Sequence, residues 1–115
     1  MKLIEQHCGP VKAGTAPLSR NEAEALAPQV SEWLLSEKEL TREFRFKDFR
    51  QAIEFVNRVA SVADEQDHHP DMFIFYNKVK LTLSTHKLGG LSLNDFILAT
   101  KIDLAADQQQ GGKAA

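Results

Sequence analysis

Apolar and polar positions change period several times along the chain, and each change predicts an element. Ser19 with Glu22 three residues later reads as a capping box, and Ala23, Leu26, Ala27 and Val30 follow at helical spacing. Pro28 is expected to kink or end that helix. Leu40, Phe44 and Phe46 then share one parity, with Arg42 between them, which predicts a strand. Ser36 to Lys38 would be the turn joining it to a first strand that includes Trp33 to Leu35. Asp48 is a good N-cap for a long helix whose apolar stripe reads Phe49, Ala52, Ile53, Val56, Val59, Ala60 and Ala63. That helix should stop near His68, because the residue before Pro70 is pushed out of the helical region.

Beyond Pro70 the residues alternate. Phe73, Phe75, Val79, Leu81 and Leu83 have one parity; Lys78, Lys80, Thr82 and Ser84 have the other. As a single strand this stretch would hold His69 and His86 roughly 56 Å apart. As a hairpin turning at Asn77-Lys78 it sets them opposite each other. A last helix is predicted from about Leu93 to Ala106, with Ser92 as N-cap and Asp95 as its acidic third position. Phe96, Ile97, Leu98, Ile102 and Leu104 make it apolar on more than one side, which suggests a partner chain. The order is helix, two strands, helix, two strands, helix. It predicts an α+β fold of two layers, a four-stranded antiparallel sheet covered by helices on one face.

Residues 1–17 contain Gly9, Pro10, Gly14 and Pro17 without a sustained period, and read as a flexible arm. Residues 18–106 form the single domain, and 107–115 a disordered tail. At 115 residues the chain can bury a core without staples. A net charge of -2 and a pI near 6.1 do not suggest a nucleic-acid surface. The single cysteine, Cys8, rules out an internal disulfide. No run is apolar enough to cross a membrane or to serve as a signal peptide, so a cytoplasmic protein is expected.

Three of the four histidines, His68, His69 and His86, flank the predicted hairpin. Imidazoles that titrate near neutrality can give and take protons without a cofactor. Asp67 and Asp95 are acids that could orient them. Simpler readings exist for each residue. His68 suits the negative end of a helix dipole, His69 and His86 suit surface loops, and Asp95 suits a helix start. Tyr76 reads as packing at the turn. A three-histidine zinc site is a second reading, weakened because adjacent side chains on extended backbone point apart. His7 with Cys8 offers two further metal-ligand types in the arm. A third reading is an interaction module that uses the last helix.

The spacing Asp64, His68-His69-Pro70, Tyr76, His86, Asp95 resembles the signature of the pterin-4a-carbinolamine dehydratases. FKDF at 46–49, RVA at 58–60, DHHP at 67–70, YNKV at 76–79 and TLSTH at 82–86 extend the likeness from about Ser19 to Ala105. The resemblance implies the α-β-β-α-β-β-α fold and a hydro-lyase that dehydrates 4a-hydroxytetrahydropterin to quinonoid dihydropterin, recycling the pterin of aromatic amino acid hydroxylases. It implies His68, His69 and His86 as the catalytic set, with Asp67, Ser84, Thr85 and Asp95 around the pterin and neither metal nor bound cofactor. It also implies homodimers or homotetramers formed through the sheet edge and last helix. Some animal relatives serve as dimerisation cofactors of a homeodomain transcription factor, the non-catalytic alternative. Three positions depart from the pattern: Phe96 and Met72 stand where tryptophan is usual, and Lys87 where an acid is common.

Overall fold

Local capping sets the helices. Ser19 caps α1 (Arg20–Leu26) through the expected reciprocal box with Glu22, and Pro28 diverts the chain into a short 3-10 turn. Asp48 accepts the Gln51 N–H at 2.9 Å and opens α2 (Phe49–Gln66), which ends at Asp67 in a left-handed conformation, φ 51°. The computed structural model describes residues 2–110. Between and after these helices come β1 (Leu34–Leu35), β2 (Leu40–Arg45), β3 (Asp71–Phe75), β4 (Lys78–Leu83) and α3 (Leu93–Gln109). The expected α-β-β-α-β-β-α order holds, and the four strands form an antiparallel sheet in the order β1-β2-β4-β3.

Burial follows the sheet's alternation. Leu40 and Phe44 of β2, with Val79, Leu81 and Leu83 of β4, point inward to α2 and α3. Phe55 lies at the centre, its ring 4.6 Å from that of Phe44 and 5.0 Å from that of Phe46. The α2 stripe is therefore rotated from the expected one. Ala52, Phe55, Val59 and Ala63 are buried; Phe49 is half exposed and stacks on Tyr76, and Ala60 faces solvent. Arg42, the polar break in β2, also faces inward. Its guanidinium lies 4.2 Å over the Phe44 ring and donates to Asp103 at 2.7 Å. The same Asp103 oxygen accepts the Trp33 indole N–H at 2.8 Å. Burial raises the Asp103 carboxyl above its ordinary value, and the Trp33 and Arg42 bonds oppose that rise.

The β3–β4 hairpin turns one residue earlier than expected, at Tyr76-Asn77, with Phe75 opposite Lys78. Tyr76 takes a positive φ, 53°, a conformation that asparagine tolerates more readily. Asn77 is needed elsewhere: its side-chain amide donates to the Phe46 carbonyl at 3.0 Å, and its own carbonyl accepts the Phe46 N–H at 2.8 Å. Cross-strand partners share a face, so Phe73 and Phe75 lie with Lys80 and Lys78 on the side of the sheet away from Val79 and Leu81. β3 is one of the two outer strands, and Phe73, Ile74, Phe75 and Tyr76 on it and its turn are exposed.

Most of the apolar surface of the last helix is covered by this chain itself. Phe96, Ile97, Leu98, Ala99 and Ile102 are buried, and of the large apolar residues in α3 Leu104 is exposed. Part of that cover is the segment expected to hang loose. Leu3 is fully buried, its N–H donates to Gln29, and Lys101 of α3 donates to the Ile4 carbonyl at 2.9 Å. α3 also runs three residues past Ala106, and Gln109 donates to the Gln51 carbonyl of α2. The rest of the expected tail, 111–115, lies outside the described residues.

Candidate active site

Two chain reversals bring the histidines together. The left-handed Asp67 ends α2, and the His68 N–H returns to the Ala63 carbonyl, so His68 and His69 leave the helix at its partially negative end. Past β4, a 3-10 turn over His86–Leu88 is pinched shut by the Thr85 N–H on the Gly90 carbonyl at 2.8 Å. Gly89 takes φ 66° in that turn, where a side chain would be strained. His69 and His86 are not cross-strand partners as the expected register had them, since the β3–β4 pairing stops at Asp71 and Thr82. They meet beyond the strand ends, around a cleft of about 520 Å³.

Asp67, His68, His69, Ser84, Thr85 and His86 line this cleft. Asp95, expected around the pterin, is not among the residues that line the cleft. It is fully buried and reaches the cleft only through its neighbours. Its Oδ1 lies 2.6 Å from His68 Nε2. Its Oδ2 accepts the Thr85 hydroxyl at 2.8 Å and the Ser92 backbone N–H at 2.9 Å. The helix-start role and the histidine-orienting role thus coexist, one on each oxygen. Thr85 has a single hydroxyl proton and gives it to Asp95, so Ser92 Oγ, 2.7 Å away, donates to Thr85.

Electrostatically, Asp95 sits in the first turn of α3, where the helix dipole favours a carboxylate. A carboxylate accepts, so His68 carries its proton on Nε2 and leaves Nδ1 as the other exchanging position. His68 is largely buried, with 13% of its side chain exposed; His69 is 56% exposed and bonds Asp64 at 2.9 Å. The adjacent histidines therefore turn to different acids. Among the described residues no three His, Cys, Asp or Glu side chains are placed to share a metal ion. The His86 side chain is exposed at the cleft and makes no hydrogen bond among the described residues, while its backbone carbonyl accepts the Gly89 N–H at 3.1 Å.

Sequence reasoning missed one wall of the cleft. Cys8, Gly9, Pro10 and Val11 of the N-terminal segment line it, with Gln66 and Asn94 behind them. No local signal announces these residues, since their anchors are 58 and 85 positions away. Burial pushes the Cys8 thiol up to about 11, the nearby Asp95 charge adds to this, and Lys101 opposes it. Two other grooves of about 610 and 600 Å³ hold no histidine.

The sequence model of the family described as Pterin 4 alpha carbinolamine dehydratase matches residues 16–105. A provisionally named pterin-4-alpha-carbinolamine dehydratase of Rubrobacter xylanophilus is 45% identical over 103 residues, covering 89% of this chain and 96% of its own. Its counterpart in Nitrosomonas eutropha is 44% identical, covering 89% and 91%. The crystal structure of a transcriptional coactivator/pterin dehydratase from Brucella melitensis superposes with a TM-score of 0.74 at 34% identity, covering 78% of this chain and 98% of that one. A pterin dehydratase-like protein identified as a RuBisCO assembly factor in the alpha-carboxysome shares the fold, with a TM-score of 0.54 at 21% identity over 64% of this chain and 86% of that one.

Proposed function

The chain belongs to the pterin-4-alpha-carbinolamine dehydratase family, and from that we propose that it removes water from 4a-hydroxytetrahydropterin to give quinonoid dihydropterin. In this reaction the C4a–O bond breaks with its electron pair on oxygen, which takes a proton and leaves as water. The ring nitrogen beside C4a loses its proton, and that electron pair closes the C=N bond. The two proton transfers require one acid and one base within reach of adjacent atoms.

The observation that carries this reading is the buried Asp95–His68 pair opening on a cleft that also holds His69 and His86. Asp95 fixes the His68 tautomer and orients its ring, so His68 is the poised proton carrier. His69 and His86, on the solvated rims, protonate the departing hydroxyl and pass protons to water. Asp67 and Ser84 hold the pterin, and Thr85 holds Asp95. A separate two-electron reduction of the quinonoid dihydropterin would return tetrahydropterin to aromatic amino acid hydroxylases, and a cytoplasmic enzyme suits that cycle.

The test is the decay of freshly generated 4a-hydroxytetrahydropterin, followed by ultraviolet absorbance. Native protein should shorten that decay at catalytic concentration, with or without chelator. A decay no faster than in buffer leaves the non-catalytic interaction reading. That second reading is favoured by the exposed aromatic edge of β3, not by the last helix, whose large apolar residues mostly face inward. The same edge supports pairing of two copies into a homodimer, with the homotetramer as a further stage.

A further inference from the structure

The N-terminal wall of the cleft is fastened by groups that lie next to the proposed proton-transfer residues. Asn94, which precedes Asp95, grips Gly9 from both sides: the Gly9 N–H donates to Asn94 Oδ1 at 3.0 Å, and Asn94 Nδ2 donates to the Gly9 carbonyl at 2.7 Å. Gln66, two residues before His68, accepts the Cys8 N–H at 2.8 Å. The Cys8 thiol donates to the Asn94 carbonyl at 3.4 Å. Asn94 and Gln66 are buried amides that would be costly to leave unpaired, and their partners belong to this segment: the backbone of Cys8 and Gly9, and His7 Nδ1, 3.2 Å from Gln66 Nε2. Leu3, fully buried, anchors its far end.

From this we infer that residues 8–11 are a substrate-binding wall, and that Asn94 is the positioning residue that holds it against the bound pterin. The inference rests on the proposed dehydratase reading. Gly9 and Pro10 suit such a wall. Glycine presents no side chain and proline a flat ring, so a planar bicyclic ligand can approach the backbone closely. A Cβ built at Gly9 meets no heavy atom within 4 Å, and its φ lies outside the left-handed region. A side chain there would therefore fit the folded protein, in open space on the segment that lines the cleft. The wall contacts the ligand in the ground state and the transition state alike, so it acts on affinity rather than on the chemical step.

The test compares native protein, Gly9→Leu and Asn94→Ala in the dehydration assay, with melting curves for all three. Gly9→Leu should melt with the native protein, raise KM about tenfold, and leave kcat within about twofold, the pattern of lost uniform binding. Asn94→Ala should raise KM in the same direction; if it fails to fold, Gly9→Leu decides alone. Native KM in a folded Gly9→Leu, or a loss confined to kcat, overturns the wall's role while leaving the dehydratase reading intact. Native protein that gives no acceleration overturns the dehydratase reading itself, and this inference with it.

Discussion

Asp95 shows how much one side chain can organise when each of its oxygens has a separate task. Oδ2 closes the start of α3 and receives Thr85; Oδ1 is left for His68. Replacing Thr85 with valine keeps the shape but removes a donor from a buried carboxylate. Urea unfolding of Thr85→Val should show a loss of about 1–3 kcal/mol, and an unchanged midpoint would mean water replaces the hydroxyl. Cys8 provides a second check at this scale. Thiolate is the reactive form, and burial holds the Cys8 thiol up at about 11. Iodoacetamide at pH 8 should label it roughly a hundredfold more slowly than an unshifted thiol, with the rate climbing toward pH 11. Labelling at the rate of free cysteine would show that the wall does not bury it.

At the scale of elements, the three-helix, one-sheet frame depends on Phe55 filling the space between α2 and β2. Phe55→Ala should cost about 3–5 kcal/mol by denaturant unfolding. Asp103 ties β2 to α3 and gives a signed pH dependence. Its folded carboxyl binds a proton more tightly than in the unfolded chain, so its contribution is full below the ordinary 3.8 and fades as pH rises through the raised folded value. Unfolding midpoints across that window should decline with pH in the native protein and flatten in Asp103→Asn; parallel curves would assign the slope to other groups. Caps and strand parity were legible because Ser19, Asp48 and the β4 alternation act over three or four residues. The α2 face was misphased because Phe49, apolar by type, stacks outward on Tyr76, while Phe55 is claimed by the sheet. The hairpin turn was misplaced because Asn77 serves Phe46 rather than its own φ. The histidines stood out by clustering, and Asp95 by helix position. The residue 8–11 wall had no signature, because its partners come from distant helices.

For the whole molecule, the longer of the sheet's two edge strands is β3, where Phe73 is 50% exposed and Phe75 54%, with Tyr76 of its turn at 68%. An outer strand with such residues is a template for another strand. Sedimentation should give a mass above the 12.9 kDa of one chain. Phe75→Glu sits opposite Lys78, which suits the single chain, and should return the mass to that of a monomer. Native protein already monomeric would dismiss the edge as an interface. The central claim is that the buried Asp95–His68 pair drives dehydration. Its most direct test is the rate of 4a-hydroxytetrahydropterin decay with Asp95→Asn, which keeps size and the helix-start acceptor but removes the charge behind His68. With folding checked by circular dichroism, kcat should fall on the order of 100-fold relative to native protein. A folded Asp95→Asn that dehydrates at the native rate would contradict the account.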